Sequence, residues 1–226
     1  MGITIYQKEN SDPIRGVLFD MDGLVLDTEK LYARFWTEAC HVLGYPMTRE
    51  QALGMRSLNH AAGQEKLISY FGPEISYDLV RAKRIELMDA FIEENGVDPM
   101  PGIYELMEDL NRRGIPTAIT SSSPMERILR YLTPLGLSDR FTHLISGYDV
   151  PHGKPEPDIY LHGAAKLSLR PEECLALEDS PAGILSAYRA GCRAVMIPDQ
   201  DQPDENTIPL LFAKADSLTD IISLLG

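Results

Sequence analysis

The sequence has few cysteines, and few basic residues relative to acidic ones, and each shortage excludes a class of protein. Its three cysteines form no CxxC pair and have no histidine at metal-ligand spacing, so they predict neither a disulfide framework nor a zinc site. Lys and Arg number 21 against 34 Asp and Glu, which gives a formal net charge of −13. Such a surface repels nucleic-acid phosphates and anionic lipids, so we expect neither as a partner. The three thiols, which we expect to be buried, are Cys40, Cys174 and Cys192.

The sequence also lacks a long apolar run. No apolar stretch approaches membrane-spanning length, and residues 1–11 show no basic segment followed by an apolar one. We therefore expect a cytoplasmic protein with no membrane partner, and we expect it to be a monomer. Its 226 residues suffice for one large domain or for one domain with a smaller insert.

Short apolar runs alternate with helical patterns along most of the chain. The runs are bounded by polar or turn residues, as are the strands of a buried sheet. Between them, segments such as 103–110 repeat apolar residues at i, i+3, i+4 and i+7. This alternation predicts an α/β fold in which a parallel sheet is covered by helices. The predicted strands are Gly16–Phe19, Pro116–Thr120, Leu144–Ser146, Cys174–Leu177 and Ala194–Ile197.

The segment 27–97 has a different pattern. Three stretches in it, 31–43, 61–71 and 79–92, repeat apolar residues at helical spacing, and none of the segment resembles a strand. We predict that residues 27–97 form a helical domain inserted into an α/β core made of residues 1–26 and 98–226. The stretch 98–102, rich in Pro and Gly, is typical of a linker and marks the return of the chain to the core.

Ser-Pro pairs follow two of the predicted strands. In Ser123-Pro124 and in Ser180-Pro181, a capping hydroxyl precedes a proline at the first position of a predicted helix. Both pairs therefore predict strand–loop–helix corners at the carboxyl edge of the sheet, where open α/β sheets bind their ligands.

Two pairs of acids stand at the ends of predicted strands. Asp20 and Asp22 follow the first strand, and Glu178 and Asp179 follow the apolar run 174–177. Charges beside a buried strand are costly unless they are paired or bind a cation. A hard metal ion with oxygen ligands would account for the second pair. The alternative for the first pair is an ordinary turn in which both aspartates are solvated.

Hydroxyl groups and one lysine complete the candidate set. Ser121 and Ser122 lie at the end of another predicted strand, where hydroxyls and the free N–H groups of a helix start can bind phosphate. Serines at such a position are often only helix caps. Lys154 lies in the loop 152–157, where a lone lysine is usually a solvated charge.

Taken together, these features resemble the four motifs of the haloacid dehalogenase (HAD) superfamily, in the same order. The matching segments are DMDGLVLDT, ITSSS, GKPEPDIY and LEDSPAGI, and the resemblance covers residues 16–198. It implies a Rossmann-like parallel-sheet core. The helical insert resembles the cap of the subgroup that contains β-phosphoglucomutases and small-metabolite phosphatases, and three segments also resemble pseudouridine-5′-phosphatase-like members of that group.

The resemblance implies catalytic and phosphate-binding roles for five residues. Asp20 would be the nucleophile that forms an aspartyl-phosphate, and Asp22 would be the general acid and base. Ser121, Ser122 and Lys154 would bind the phosphoryl oxygens. These roles are chemically consistent, because a carboxylate can attack phosphorus only if nearby positive charge offsets its repulsion from the negatively charged phosphoryl group.

The resemblance also implies a metal cofactor. Mg²⁺ would be held by the Asp20 carboxylate, the Asp22 backbone carbonyl and Asp179, with Glu178 close by. The predicted helical domain would supply the contact with the rest of the substrate, and Arg56, which follows a glycine at a break in the helical pattern, is the candidate for it.

We therefore expect a Mg²⁺-dependent phosphatase that hydrolyses a small phosphorylated metabolite, either a sugar phosphate or a nucleotide-like monoester. Halide displacement is disfavoured, because the dehalogenases of the family lack the second acid, here Asp22. The main alternative is a phosphomutase of the β-phosphoglucomutase type, but those enzymes carry a histidine where this chain has Tyr32. An inactive binding scaffold is a third possibility, which the complete set of motifs disfavours.

Overall fold

The computed structural model describes residues 2–7, 13–55, 58, 60–199 and 202–225. It divides into two compact units, Met1–Leu26 with Asp98–Gly226, and Asp27–Val97. The first unit contains one seven-stranded sheet, in the order β1-β7-β6-β5-β2-β3-β4. All neighbouring strands are parallel except β1 and β7. The strands are β1 (Ile3–Ile5), β2 (Gly16–Phe19), β3 (Thr117–Ser121), β4 (His143–Ser146), β5 (Cys174–Glu178), β6 (Arg193–Met196) and β7 (Ala213–Ala215).

The parallel strands form because their short apolar runs can be buried on both faces. Every residue of β2, β3, β5 and β6 is buried, as expected for a parallel sheet with helices on its faces. All five strands predicted from these runs are confirmed, with ends shifted by one residue at most. The two remaining strands, β1 and β7, have only three residues each and are less buried, and the sequence pattern missed them.

Within the described ranges, four α-helices belong to the same unit as the sheet. Two of them, α7 and α8, place Tyr160 and Ile184 in one apolar cluster with Leu18 and Ala176 of the sheet. Because side chains alternate along a strand, the residues on either side of Leu18 point to the opposite face. The four helices are α5 (Ile103–Arg113), α6 (Met125–Leu132), α7 (Asp158–Lys166) and α8 (Pro181–Ala190).

The two Ser-Pro corners differ in detail. Helix α8 begins as predicted, with Pro181 in its first turn and the Ser180 hydroxyl accepting a hydrogen bond from the Gly183 N–H. Helix α6 does not, because Pro124 itself is the N-cap residue and no side chain caps the helix. The Ser123 hydroxyl instead donates to the Asp22 carboxylate, at 3.4 Å. The prediction of a Ser123 cap is therefore wrong.

The unit Asp27–Val97 contains helices, and no strand lies in its described residues. Its apolar core is formed by residues such as Trp36, Leu67 and Tyr77. The short second helix, which the sequence pattern missed, begins with a capping box between Thr48 and Gln51. The helices are α1 (Glu29–Val42), α2 (Arg49–Leu53), α3 (His60–Phe71) and α4 (Tyr77–Asn95). Within the described ranges, no helix of either unit combines the length and the apolar character that a membrane crossing requires.

Candidate active site

The candidate residues of the first unit meet because their strands are neighbours. Strand β2 lies between β5 and β3, with Phe19 opposite Leu177 on one side and Ile119 on the other. The Asp20 N–H continues this pairing by donating to the Leu177 carbonyl at 3.0 Å. Parallel strands end at the same edge of a sheet. The acids that follow β2, the hydroxyls at the end of β3 and the acids at the end of β5 therefore share one edge.

Lys154 connects two of these strand ends. Its Nζ donates to Asp20 Oδ1 at 2.5 Å and to Glu178 Oε1 at 2.6 Å. Only 8% of the Lys154 side chain is exposed, so it is a buried ion-pairing group rather than a solvated loop charge. A buried ammonium placed between two carboxylates can neutralise part of the negative charge at this edge.

Glu178 is anchored from several sides. Besides Lys154, the Tyr160 hydroxyl donates to Glu178 Oε1 and the Ser180 hydroxyl donates to Glu178 Oε2, at 3.3 Å. The residue facing the carboxylate from α8 is Gly183, where a Cβ atom would lie 1.9 Å from Glu178 Cδ. Glycine is thus the residue that leaves room for this buried carboxylate.

The electrostatics of the edge follow from burial and from the crowding of acids. The pKa of Asp20 is raised to about 8, because burial and the nearby carboxylates of Glu178 and Asp22 together outweigh the opposing effect of Lys154. Burial alone would lower the pKa of Lys154, but Asp20 and Glu178 raise it well above its usual range. Burial, with the charge of Glu178, also raises the pKa of Tyr160 well above its usual range. The lysine is therefore charged and the tyrosine is protonated, so both serve as donors.

Three carboxylates at this edge are close enough to share a cation. One oxygen each from Asp20, Glu178 and Asp179 lies within 4.8 Å of the other two. An all-oxygen set of carboxylates suits a hard divalent ion such as Mg²⁺. Both oxygens of Glu178 already accept hydrogen bonds, so a cation at Glu178 would compete with Lys154, Tyr160 and Ser180.

Ser121 and Ser122, at the end of β3, lie at the same edge but differ in burial. Ser121 is buried, and its hydroxyl accepts a hydrogen bond from the Ser123 N–H at 3.1 Å. Ser122 is exposed. The Ser146 hydroxyl of β4 donates to the Ser123 carbonyl at 2.8 Å and so fixes the turn that carries the three serines. The other candidate substrate residue, Arg56, lies outside the described residues.

Sequence reasoning missed two side chains of this network. Tyr160 stands in a helical pattern where a tyrosine is usually a core residue, and it is indeed fully buried, but its hydroxyl reaches Glu178. Ser123 is the second, because its sequence predicts a helix cap whereas its hydroxyl donates to the Asp22 carboxylate. The position of Tyr160 six residues after Lys154, in the segment GKPEPDIY, is the only local signal that could have linked it to the site.

Comparisons with known proteins find a matching family model and several similar proteins. The family model of haloacid dehalogenase-like hydrolases matches residues 14–191. Hexitol phosphatase A of Escherichia coli (strain K12) is 32% identical over 216 residues, which cover 91% of this chain and 93% of that protein. Beta-phosphoglucomutase of Bacillus subtilis (strain 168) is 28% identical over 196 residues, 84% of this chain and 85% of that one. The crystal structure of a CbbY mutant from Rhodobacter sphaeroides, in complex with xylulose-(1,5)bisphosphate, superposes with a TM-score of 0.74 at 25% identity, covering 92% of this chain and 96% of that one.

Proposed function

The chain belongs to the haloacid dehalogenase-like hydrolase family and is a phosphatase of that family. We propose that it hydrolyses a small phosphorylated metabolite. In this proposal the phosphoryl group is transferred to Asp20 and then to water, with the help of a divalent cation. The observation that carries this proposal is the position of the Lys154 ammonium, 2.5 Å from Asp20 Oδ1 and 2.6 Å from Glu178 Oε1 at one edge of the sheet.

The first chemical step belongs to Asp20. Its carboxylate oxygen attacks phosphorus, forming an O–P bond to Asp20 while the bond from phosphorus to the leaving oxygen breaks. Asp22 gives its proton to that leaving oxygen. In the second step Asp22 takes a proton from water, and the water oxygen attacks phosphorus and releases phosphate from Asp20. Dividing the displacement in this way replaces one difficult reaction by two easier ones.

The surrounding donors stabilise the phosphoryl oxygens. We assign this role to Lys154 and Ser121, with Ser122 as a further hydroxyl at the same strand end. Donors fixed in place before the reaction are most effective where charge develops in the transition state. Lys154 is fixed in this way, because it donates to Glu178, and Glu178 is itself held by hydrogen bonds from Tyr160 and Ser180.

The acidic cluster fits a divalent cation, for which we propose Mg²⁺. The Asp20 and Asp179 carboxylates and the backbone carbonyl of Asp22 would bind the cation directly. The Glu178 carboxylate would lie close to it. When bound, the cation offsets the negative charge of the phosphoryl group that Asp20 approaches. The burial and mutual repulsion of these carboxylates are the features that favour a bound cation.

For the substrate, we propose a phosphorylated sugar, a phosphorylated sugar alcohol or a nucleoside monophosphate. Support comes from the similarity to hexitol phosphatase A. The alternative is a phosphomutase, supported by the similarity to beta-phosphoglucomutase. Tyr32 favours hydrolysis, because it stands where the β-phosphoglucomutases carry a histidine. Arg56 remains our proposal for a contact with the leaving group.

The test is phosphate release from a panel of sugar phosphates, hexitol phosphates and nucleoside monophosphates. We expect release with Mg²⁺ and none with EDTA, and we expect Asp20→Asn to abolish it. Because an isomeric sugar phosphate produced without free phosphate would identify a mutase, both products are measured in the same reactions. Normal turnover in EDTA, or by Asp20→Asn, would contradict the proposal.

A further inference from the structure

A buried arginine in the helical unit has no anionic partner among the residues that the structure describes. Arg84 lies on α4 and is 8% exposed. Its Nε is buried and has no hydrogen-bond partner. Among the described residues, Arg84 also makes no ion pair. Buried charges in proteins are normally paired, because removing an ion from water is costly.

The position of Arg84 in α4 makes the missing partner more unusual. The buried residues of this helix are spaced three or four apart, and Arg84 stands in the middle of them, one turn from Val80 and one turn from Met88. An apolar side chain would complete this stripe at no electrostatic cost. A charged residue at such a position calls for a partner that stabilises it.

Two aromatic rings of α1 hold the guanidinium in place. The Arg84 Cζ lies 4.5 Å from the centroid of the Tyr32 ring and 5.2 Å from that of Trp36. Cation–π contacts compensate for part of the lost hydration, but they leave the buried Nε–H without an acceptor. A planar fork of N–H donors matches the paired oxygens of a carboxylate or a phosphate.

We propose that Arg84, held between Tyr32 and Trp36, is an anion-binding site of the helical unit, which takes a carboxylate or phosphate group of a small ligand. The site goes beyond the proposed phosphatase chemistry, because that chemistry assigns no role to Arg84 or Trp36. The excess of acid over base in this chain makes a cation without an acidic partner more notable still. The proposal is independent of turnover and can be tested by binding alone.

The chain supplies its own probe for this test. Trp36 is the single tryptophan of the sequence, so its fluorescence reports on the surroundings of Arg84. We would titrate the full-length protein with malonate and, separately, with inorganic phosphate, using sodium chloride at equal ionic strength as the blank. The two titrations distinguish a carboxylate site from a phosphate site. Repeating the phosphate titration with Lys154→Met removes binding at the strand-end site.

We expect a saturable fluorescence change with at least one anion, and we expect it to persist in Lys154→Met. Arg84→Met should weaken the apparent affinity at least tenfold, while Arg81→Gln, which removes an exposed charge of the same helix, should leave it unchanged. Arg84→Lys keeps the charge without the planar fork, so it should weaken binding several-fold. Because Arg84 is an unpaired charge without its ligand, Arg84→Met should unfold at the same temperature as the parent or higher.

Three results would overturn the proposal. The first is a parent protein whose fluorescence shows no saturable response to either anion. The second is a response that Arg84→Met and Arg84→Lys both retain in full. The third is an equal loss of response in Arg81→Gln and Arg84→Lys, which would show a diffuse charge effect. If Arg84→Met fails to fold, Arg84→Lys and Arg81→Gln decide between these outcomes.

Discussion

The hydrogen bond from Tyr160 to Glu178 gives a prediction whose size follows from the structure. Both side chains are fully buried, and the Tyr160 hydroxyl is one of three donors to the Glu178 carboxylate. Tyr160→Phe removes the hydroxyl and leaves the ring in place, so the apolar packing of α7 is retained. The substitution therefore isolates one hydrogen bond to a buried charge.

The expected loss of stability comes from that bond alone. A hydrogen bond to a charged group contributes about 1.5–3 kcal/mol, and the acceptor that remains is buried with one donor fewer. For a chain of 150–250 residues, 1 kcal/mol corresponds to a shift of roughly 2–4 °C in the unfolding temperature. We therefore expect Tyr160→Phe to unfold about 3–12 °C below the parent.

The assay is thermal unfolding of the two proteins side by side, in EDTA so that no cation contributes. The matched control is Tyr188→Phe on α8, which removes a hydroxyl from a ring that is 48% exposed and should change the unfolding temperature by less than about 2 °C, as surface substitutions do. Equal shifts for the two variants, or an unchanged unfolding temperature for Tyr160→Phe, would refute the anchoring of Glu178 by Tyr160.

Three further predictions concern the same edge of the sheet. Asp22→Asn should lower kcat on the order of 10²–10⁴-fold, because both the protonation of the leaving oxygen and the activation of water are lost; turnover within threefold of the parent would exclude the acid–base role. Asp179→Ala should raise the Mg²⁺ concentration needed for half-maximal activity, with activity recovering in excess Mg²⁺; an unchanged metal titration would remove Asp179 from the metal site. Gly183→Ala should destabilise the fold by about 1–3 kcal/mol, as overpacking does in a core, because the alanine Cβ would overlap Glu178. Denaturant unfolding measures the loss of stability, and a stability equal to that of the parent would contradict the close packing.

Much of the sheet and of the strand-end site was predictable from the sequence, because both depend on local patterns. An apolar run four or five residues long that ends in an acid or a serine marks a buried strand, and the carboxyl edge of such a sheet is where open α/β folds bind ligands. Asp20, Ser121 and Glu178 each follow that rule. Strands β1 and β7 do not, because three residues with partial exposure produce no periodicity.

The remaining features depend on contacts between distant parts of the chain. Tyr160 has the spacing of a core residue in α7, and only the folded sheet brings Glu178, 18 residues further along, against its hydroxyl. Arg84 looks like one of several charges on α4, and its burial depends on the rings that α1 packs against it. Ser123 stands in a sequence typical of a helix cap, but its hydroxyl donates a hydrogen bond to the carboxylate of Asp22, which is 101 residues away along the chain.

The proposed mechanism depends on phosphorylation of Asp20 during turnover. The most direct measurement is a rapid acid quench of the enzyme during steady hydrolysis of its best substrate, followed by borohydride reduction and mass spectrometry of the peptide that contains Asp20. Reduction converts an aspartyl-phosphate to homoserine, so we expect homoserine at position 20 in the parent and none in Asp20→Asn. Rapid phosphate release with no homoserine at position 20, or with a modified residue elsewhere, would contradict it.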